Sequence, residues 1–397
     1  MSPIPRLKVY SGPVLLSYGF RPFFLFGAIY AALAILAWLP IFNSELALST
    51  AFGPIDWHVH EMLYGFLPAV VTGFLLTAIP NWTGRLPIQG TPLLILFTVW
   101  LGGRVAVTFS AEIGWLLAAI FDVSFLVLVV AATAREIVAG KNWRNLRVVG
   151  LVTLLLAGNI AFHLEAHFKG SAEYGARIGI AAVVLLLAVI GGRIIPSFTR
   201  NWLARENPGR LPAAFARFDV VVILLSAVAL AMWIAQPSGK TTAAALTAVG
   251  VLHVVRLARW AGDRTWRDRL VLVLHVGYAF VPLGFLLAAA AAIDLVPADA
   301  GTHAWMVGAA GTMTLAVMTR ASLGHTGNAL NASAVTQTIY AAVVIAALAR
   351  ICSSLEPGWS DQLLHVAAFA WVLAFFGFAA SYGPILVGAQ RGKVLPA

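Results

Sequence analysis

The sequence predicts an all-α fold, a polytopic membrane bundle of about twelve spanning helices with both termini cytoplasmic. Three observations predict it. The 397 residues are 60% hydrophobic and only 11% charged, with a mean hydropathy of +0.88, whereas soluble chains carry roughly 25% charged residues. The apolar residues fall in runs of bilayer-spanning length. Lys and Arg alternate between the loops as cytoplasmic retention requires. Such a chain cannot cover a water-facing surface, which excludes a soluble enzyme, a nucleic-acid-binding domain and a disordered protein. The lipid bilayer is its partner, and the formal net charge of +10 is read as Arg-rich cytoplasmic loops rather than as a DNA footprint.

A bilayer core of about 30 Å takes about 20 apolar residues in a helix. Twelve runs meet that need, at 20–39, 57–80, 92–109, 114–137, 147–168, 174–196, 217–236, 241–259, 269–293, 302–321, 334–353 and 363–387. The first has no small-residue cleavage site after it and reads as a span rather than a removable leader. The third and fourth are joined by so few residues that they form a tight hairpin, across which Arg104 and Asp122 are expected to pair. The second run ends at Pro80-Asn81-Trp82-Thr83-Gly84-Arg85 and the sixth at Gly191-Gly192-Arg193-Ile194-Ile195-Pro196. There Pro and Gly stop a helix while Trp and Arg anchor it at the interface. A sharper reading lets Arg193 or Arg200 hold an acidic group, such as a haem propionate, by a bidentate pair. No segment between runs is long enough for a soluble domain, so residues 1–397 read as one transmembrane domain.

With the N-terminus inside, all but five of the 26 Lys and Arg residues lie on the cytoplasmic side; the exceptions are Arg104, Lys169, Arg177, Lys240 and Arg350. This sidedness gives each of the nine histidines a depth. His58, His60, His163, His167, His303 and His365 gather at the outer face, and His253, His275 and His325 lie towards the inner one. Histidine inside a membrane usually faces the bundle interior and has a role, and neutral imidazole is the commonest metal ligand. His58, His60, His163 and His303, from three helices, are therefore the expected metal ligands. Glu61 lies beside His60 to orient an imidazole or to bind metal itself. His58 and His60 are two apart, about 200° around a helix, and are expected to serve different centres. His253 and His275, on consecutive antiparallel helices, are expected either to clamp one haem, with Arg193, Arg200 or Arg256 near its propionates, or to pair with each other. His365 and His167 read as interfacial residues. Cys352, the one cysteine, is assigned to packing. A single cysteine leaves no disulfide, no Cys-x-x-Cys zinc site and no covalent haem attachment.

Several stretches are long and unusual. They are Trp57-His58-Val59-His60-Glu61-Met62-Leu63-Tyr64-Gly65-Phe66, Gly192-Arg193-Ile194-Ile195-Pro196-Ser197-Phe198-Thr199, Leu274-His275-Val276-Gly277-Tyr278 and Met318-Thr319-Arg320-Ala321-Ser322-Leu323-Gly324-His325-Thr326-Gly327. On these the chain resembles the NnrS family over nearly its whole length. The resemblance implies a bacterial inner-membrane protein with about a dozen spans, containing haem b and copper and linked to the nitric oxide response and to nitrosative-stress resistance. The family pattern covers His58, His60, Glu61, His163, His253, His275, His303 and His325. It does not include His167 or His365, and Asn328 stands where the family often carries Arg.

Three functions follow as expectations. The first is a haem- and copper-binding membrane protein that meets nitric oxide at a His-rich periplasmic site. The second is a redox enzyme similar to haem–copper oxidases and nitric oxide reductases, its redox partner unknown. The third is a transporter with no redox role.

Overall fold

The computed structural model describes residues 10–388. It is helical, with no strand among the described residues. Eleven helices are long and apolar enough to cross a membrane. We number the spans α1 (Phe20–Phe42), α2 (Pro54–Thr83), α3 (Thr91–Thr108), α4 (Trp115–Ala139), α5 (Leu146–Lys169), α6 (Glu173–Glu206), α7 (Arg217–Ala235), α8 (Lys240–Ala258), α9 (Arg269–Ala291), α10 (298–325), α11 (Ala334–Leu355) and α12 (Ser360–Val387). The twelfth expected span is α10. It is helical throughout but falls short of the others in hydropathy because Thr312, Thr314, Thr319 and Arg320 interrupt its apolar surface.

Local sequence explains where the helices stop. Gly84 closes α2 in the left-handed conformation at φ 73° and returns its N–H to the Pro80 carbonyl, a conformation that only glycine adopts cheaply. Gly114, at φ 89°, turns the chain from α3 and the short helix Ser110–Ile113 into α4, giving the predicted tight hairpin. Asp268 caps α9 by accepting from the backbone N–H of Leu270 and Val271, and Ser333 caps α11 through Thr336 N–H. Two π-helical stretches, Glu61–Phe66 in α2 and Ala304–Gly311 in α10, each follow directly on a histidine.

The chain divides into two compact units. One comprises Met1–Gly179, Val317–Ala329 and Phe378–Ala397, the other Ile180–Ala316 and Leu330–Gly377. In the first, α1 packs on α2, α3 on α4, and α4 on both α2 and α5. In the second, α8 packs on α9 and α7, and α9 and α11 pack on α10. Apolar side chains such as Leu116, Ile120 and Phe121 on α4 and Leu224 and Val228 on α7 are exposed. In a spanning helix that surface faces lipid at no cost. Cys352 also lies exposed on α11, so it is not the packing residue expected of it.

Candidate metal centre

In the first unit, α2, α3, α4 and α5 bring polar side chains together at the same end. His60 and Glu61, adjacent on α2, are both fully buried. Arg104 comes from the last turns of α3, Asp122 from the early part of α4, and Asn159 and His163, one turn apart, from α5. Two glycines make the approach possible. A Cβ on Gly65 would lie 2.4 Å from Arg104 Nη1, and one on Gly103 would lie 3.1 Å from Asp122 Cα. Lipid-facing charges cost roughly 2.5–3.5 kcal/mol each, and Glu61, Arg104 and Asp122 avoid that cost by facing one another.

Arg104 is the hub. Its Nη1 donates to both Glu61 oxygens at 2.8 Å, and its Nη2 donates to Asp122 Oδ1. Glu61 also accepts from the Tyr30 hydroxyl and lies 2.8 Å from His60 Nδ1. Asp122 Oδ2 accepts from Asn159 Nδ2 at 2.8 Å and lies 2.9 Å from His163 Nε2 and 3.2 Å from His60 Nε2.

The proton count of this cluster is incomplete. His60 Nδ1 faces a carboxylate and so carries the proton that Glu61 accepts. Nε2 is then a bare lone pair, 3.2 Å from Asn159 Oδ1 and 3.2 Å from Asp122 Oδ2, which are both acceptors. Turning the Asn159 amide over would set its oxygen against the Asp122 carboxylate instead. Two carboxylates face one guanidinium, which leaves a buried excess of one negative charge. One further proton, on an imidazole or on Glu61, which then donates to His60 Nδ1 while Nε2–H donates to Asp122, relieves both faults, and so does a metal cation. His60, Asp122 and His163 each offer a ligand atom within 4.8 Å of the others, and all three are buried. Two imidazole nitrogens and a carboxylate oxygen suit copper, zinc or iron. Glu61 holds the far nitrogen of His60 as an outer-shell carboxylate does in metalloproteins.

The second unit holds a different cluster. Ser226 donates to the Val222 carbonyl at 2.7 Å, so its oxygen accepts from His253 Nε2 at 2.9 Å. His253 Nδ1 therefore accepts from the Tyr278 hydroxyl at 2.9 Å, and Tyr278 accepts from Arg256 Nη1 at 2.8 Å. Arg256 Nε donates to Asp219 Oδ1 at 2.9 Å. Each bond in this chain pairs a donor with an acceptor, Arg256 Nη2 is left without a partner, and Asp219 faces Arg259 at 3.7 Å as well as Arg256.

The sequence profile of the NnrS protein family matches residues 14–390. The chain belongs to the NnrS family. No curated protein sequence matches it.

In this multi-pass NnrS family member, the histidines expected to act together separate. His60 and His163 meet. His58 instead stacks on Trp38, ring centroids 4.3 Å apart, on another side of α2 as the two-residue spacing predicts. His303 belongs to the second unit, where its Nδ1 donates to the Asp299 carbonyl at 2.7 Å and Asp299 also takes Arg350 and Ser354. His253 and His275 do not bond to each other as the expected inner pair would. Both nitrogens of His253 are engaged as described above, so it ligates iron only by giving up one of them. His275 Nε2 lies 2.9 Å from Thr199 Oγ1, with its ring over Gly262, where a Cβ would lie 2.5 Å from Nδ1. His325 sits in the first unit beside the Phe20 and Tyr18 rings, at 5.6 and 6.4 Å. Arg200 reaches the Pro212 carbonyl at 3.3 Å, and Arg193 is half-buried on α6. His365 is exposed and donates to the Asp361 carbonyl of its own helix. His167 is exposed and stacks on Trp115.

Arg104 and Asp122 do pair, but as two members of a larger cluster rather than as an isolated pair. Asn159, Tyr30 and the place of Asp122 between the two imidazoles were missed from sequence. Asn159 carried a signal, since it lies four residues before His163 on the same helix face. Tyr30 carried none.

Proposed function

We propose that this protein binds copper at His60, Asp122 and His163 and acts at that centre in the bacterial response to nitric oxide. The observation that carries the reading is the meeting of three buried ligand atoms, from His60, Asp122 and His163, within 4.8 Å of one another, in a cluster that sets two carboxylates against one guanidinium. Imidazole favours copper, and no thiolate competes for it. Here Arg104 fixes both carboxylates, Glu61 holds the Nδ1 proton so that Nε2 stays a ligand, and Asn159 orients Asp122. Bound copper would supply a one-electron redox site for a small ligand. The Lys and Arg distribution supports a periplasmic position for this end of α2–α5.

We propose haem b as a second cofactor. The rings of Phe52, Tyr64 and Phe162 lie 5.0, 5.6 and 5.3 Å from the His60 ring, which leaves no room for a macrocycle there. His303 has the tautomer an iron ligand needs, with its Nδ1–H on the Asp299 carbonyl. Haem iron would supply an open position for nitric oxide.

Metal and haem analysis of the detergent-purified chain tests both. The wild type is expected to carry copper and acid–acetone-extractable haem. His60→Ala and His163→Ala should lose the copper and keep the haem, and His303→Ala should do the reverse. Wild type without copper, with His60 protonated in a purely ionic cluster, refutes the copper site. Alkaline phosphatase fused after Lys240 should be active and after Arg205 inactive; the opposite result reverses the sidedness.

A further inference from the structure

Beside His163 lies a cavity of about 130 Å³, bordered by α3, α4, α5 and the segment at Ala51 and Phe52. A water molecule's share of liquid volume is roughly 30 Å³, so the space takes a ligand of a few heavy atoms and nothing larger. Its walls are Val107, Ala118, Ala166 and the Phe52 ring, with polar surface of equal extent among them, and no Asp, Glu, Lys or Arg lines it. The one hydroxyl on its border, Ser110, is turned away, because its proton goes to the Val107 carbonyl at 2.8 Å and its oxygen takes the Ala51 N–H at 2.8 Å. Arg104, the cation of the neighbouring cluster, is committed to Glu61 and Asp122. A charged ligand finds no counter-ion on the border. An uncharged one finds mixed polar and apolar walls and the imidazole of His163.

Trp115 and His167 border the cavity and stack face to face, with centroids 4.0 Å apart and planes 15° apart. His167 is exposed and lies one turn beyond His163 on α5, on the same face. Phe52 stands on the inner side, its ring 5.0 Å from that of His60 and 5.4 Å from that of His163.

Resting on the copper reading above, we infer that this cavity is the ligand chamber of the His60–Asp122–His163 centre, that it admits uncharged diatomic molecules, and that the Trp115–His167 stack is its entrance. Carbon monoxide is the probe, because it is diatomic, neutral and reports copper(I) by its infrared stretch. The full-length protein is loaded with copper(I) in detergent, its copper content is measured, and carbon monoxide is titrated. Ala166→Phe fills the chamber from α5 and Ala118→Leu fills it from α4. Both should keep the copper and weaken carbon monoxide binding by about tenfold or more, the scale of overpacking a closed space. Trp115→Ala opens the entrance and should speed rebinding after flash photolysis by about threefold or more, with little change in affinity, as for a barrier outside the site. If either filling variant fails to fold, the other and Trp115→Ala carry the test. Copper retained with wild-type carbon monoxide binding and rebinding in the folded variants overturns the chamber and leaves the copper site standing. A wild type that holds no copper overturns both.

Discussion

His60 in the first unit and His253 in the second are equally buried, each on a spanning helix beside an arginine and an aspartate, yet their chemical needs are opposite. Around His253 the hydrogen bonds run in one direction, from Arg256 through Tyr278 and His253 to Ser226, and the one carboxylate, Asp219, faces the cations Arg256 and Arg259. Around His60, acceptors face acceptors and the cluster lacks one positive charge. A network of matched bonds holds helices together. An unmatched one at membrane depth calls for a further proton or a cation. Burial and residue type alone therefore do not identify a ligand; the direction of each hydrogen bond does.

The strongest way to break this comparison is to remove the two aspartates. Asp122→Ala should abolish copper binding, and Asp219→Ala should leave it unchanged. Asp219→Ala strands the buried Arg256 and should destabilise its unit by about 3–5 kcal/mol, read as a fall in thermal stability in detergent, whereas Asp122→Ala leaves Arg104 paired with Glu61 and should cost less. Equal loss of copper in both variants would erase the distinction.

Glu61→Gln comes next. It keeps an acceptor for His60 Nδ1 but loses a charge, so copper should remain with an affinity about 10–100-fold weaker. His253→Asn, the matched change in the second unit, should leave copper affinity within error of wild type by competition with a chelator.

Smaller effects sharpen the picture of the second unit. Tyr278→Phe leaves Arg256 Nη1 and His253 Nδ1 short of a partner and should cost about 1–3 kcal/mol without altering metal or haem content. Gly192→Ala would set a Cβ 2.1 Å from Arg256 Nη2 and should cost about 1–3 kcal/mol by overpacking. Gly65→Ala, with its Cβ 2.4 Å from Arg104 Nη1, should cost as much and also lower copper affinity, because it moves the hub of the metal cluster. His365→Ala is expected to change neither stability nor cofactor content, since its ring bonds only within its own helix at an exposed position. A cofactor lost from that variant would show that exposed histidines also serve as ligands.

Sequence by itself determined the quantities that add along one dimension. Apolar length gave the spans, and the Gly114 turn between α3 and α4 gave the hairpin. The two-residue spacing placed His58 and His60 on different sides of α2. Only the tertiary structure decided which side chains meet, because that depends on how each helix is rotated about its axis. Helices apolar on nearly every side leave that rotation unmarked in the sequence. The π-helical stretch at Glu61–Phe66 shifts the phase again, directly after the residue that matters. So Asp122 could be read as a partner for Arg104 from a hairpin one loop long. Its position between His60 and His163, on helices 62 and 41 residues away in the chain, rests on packing that no local pattern records.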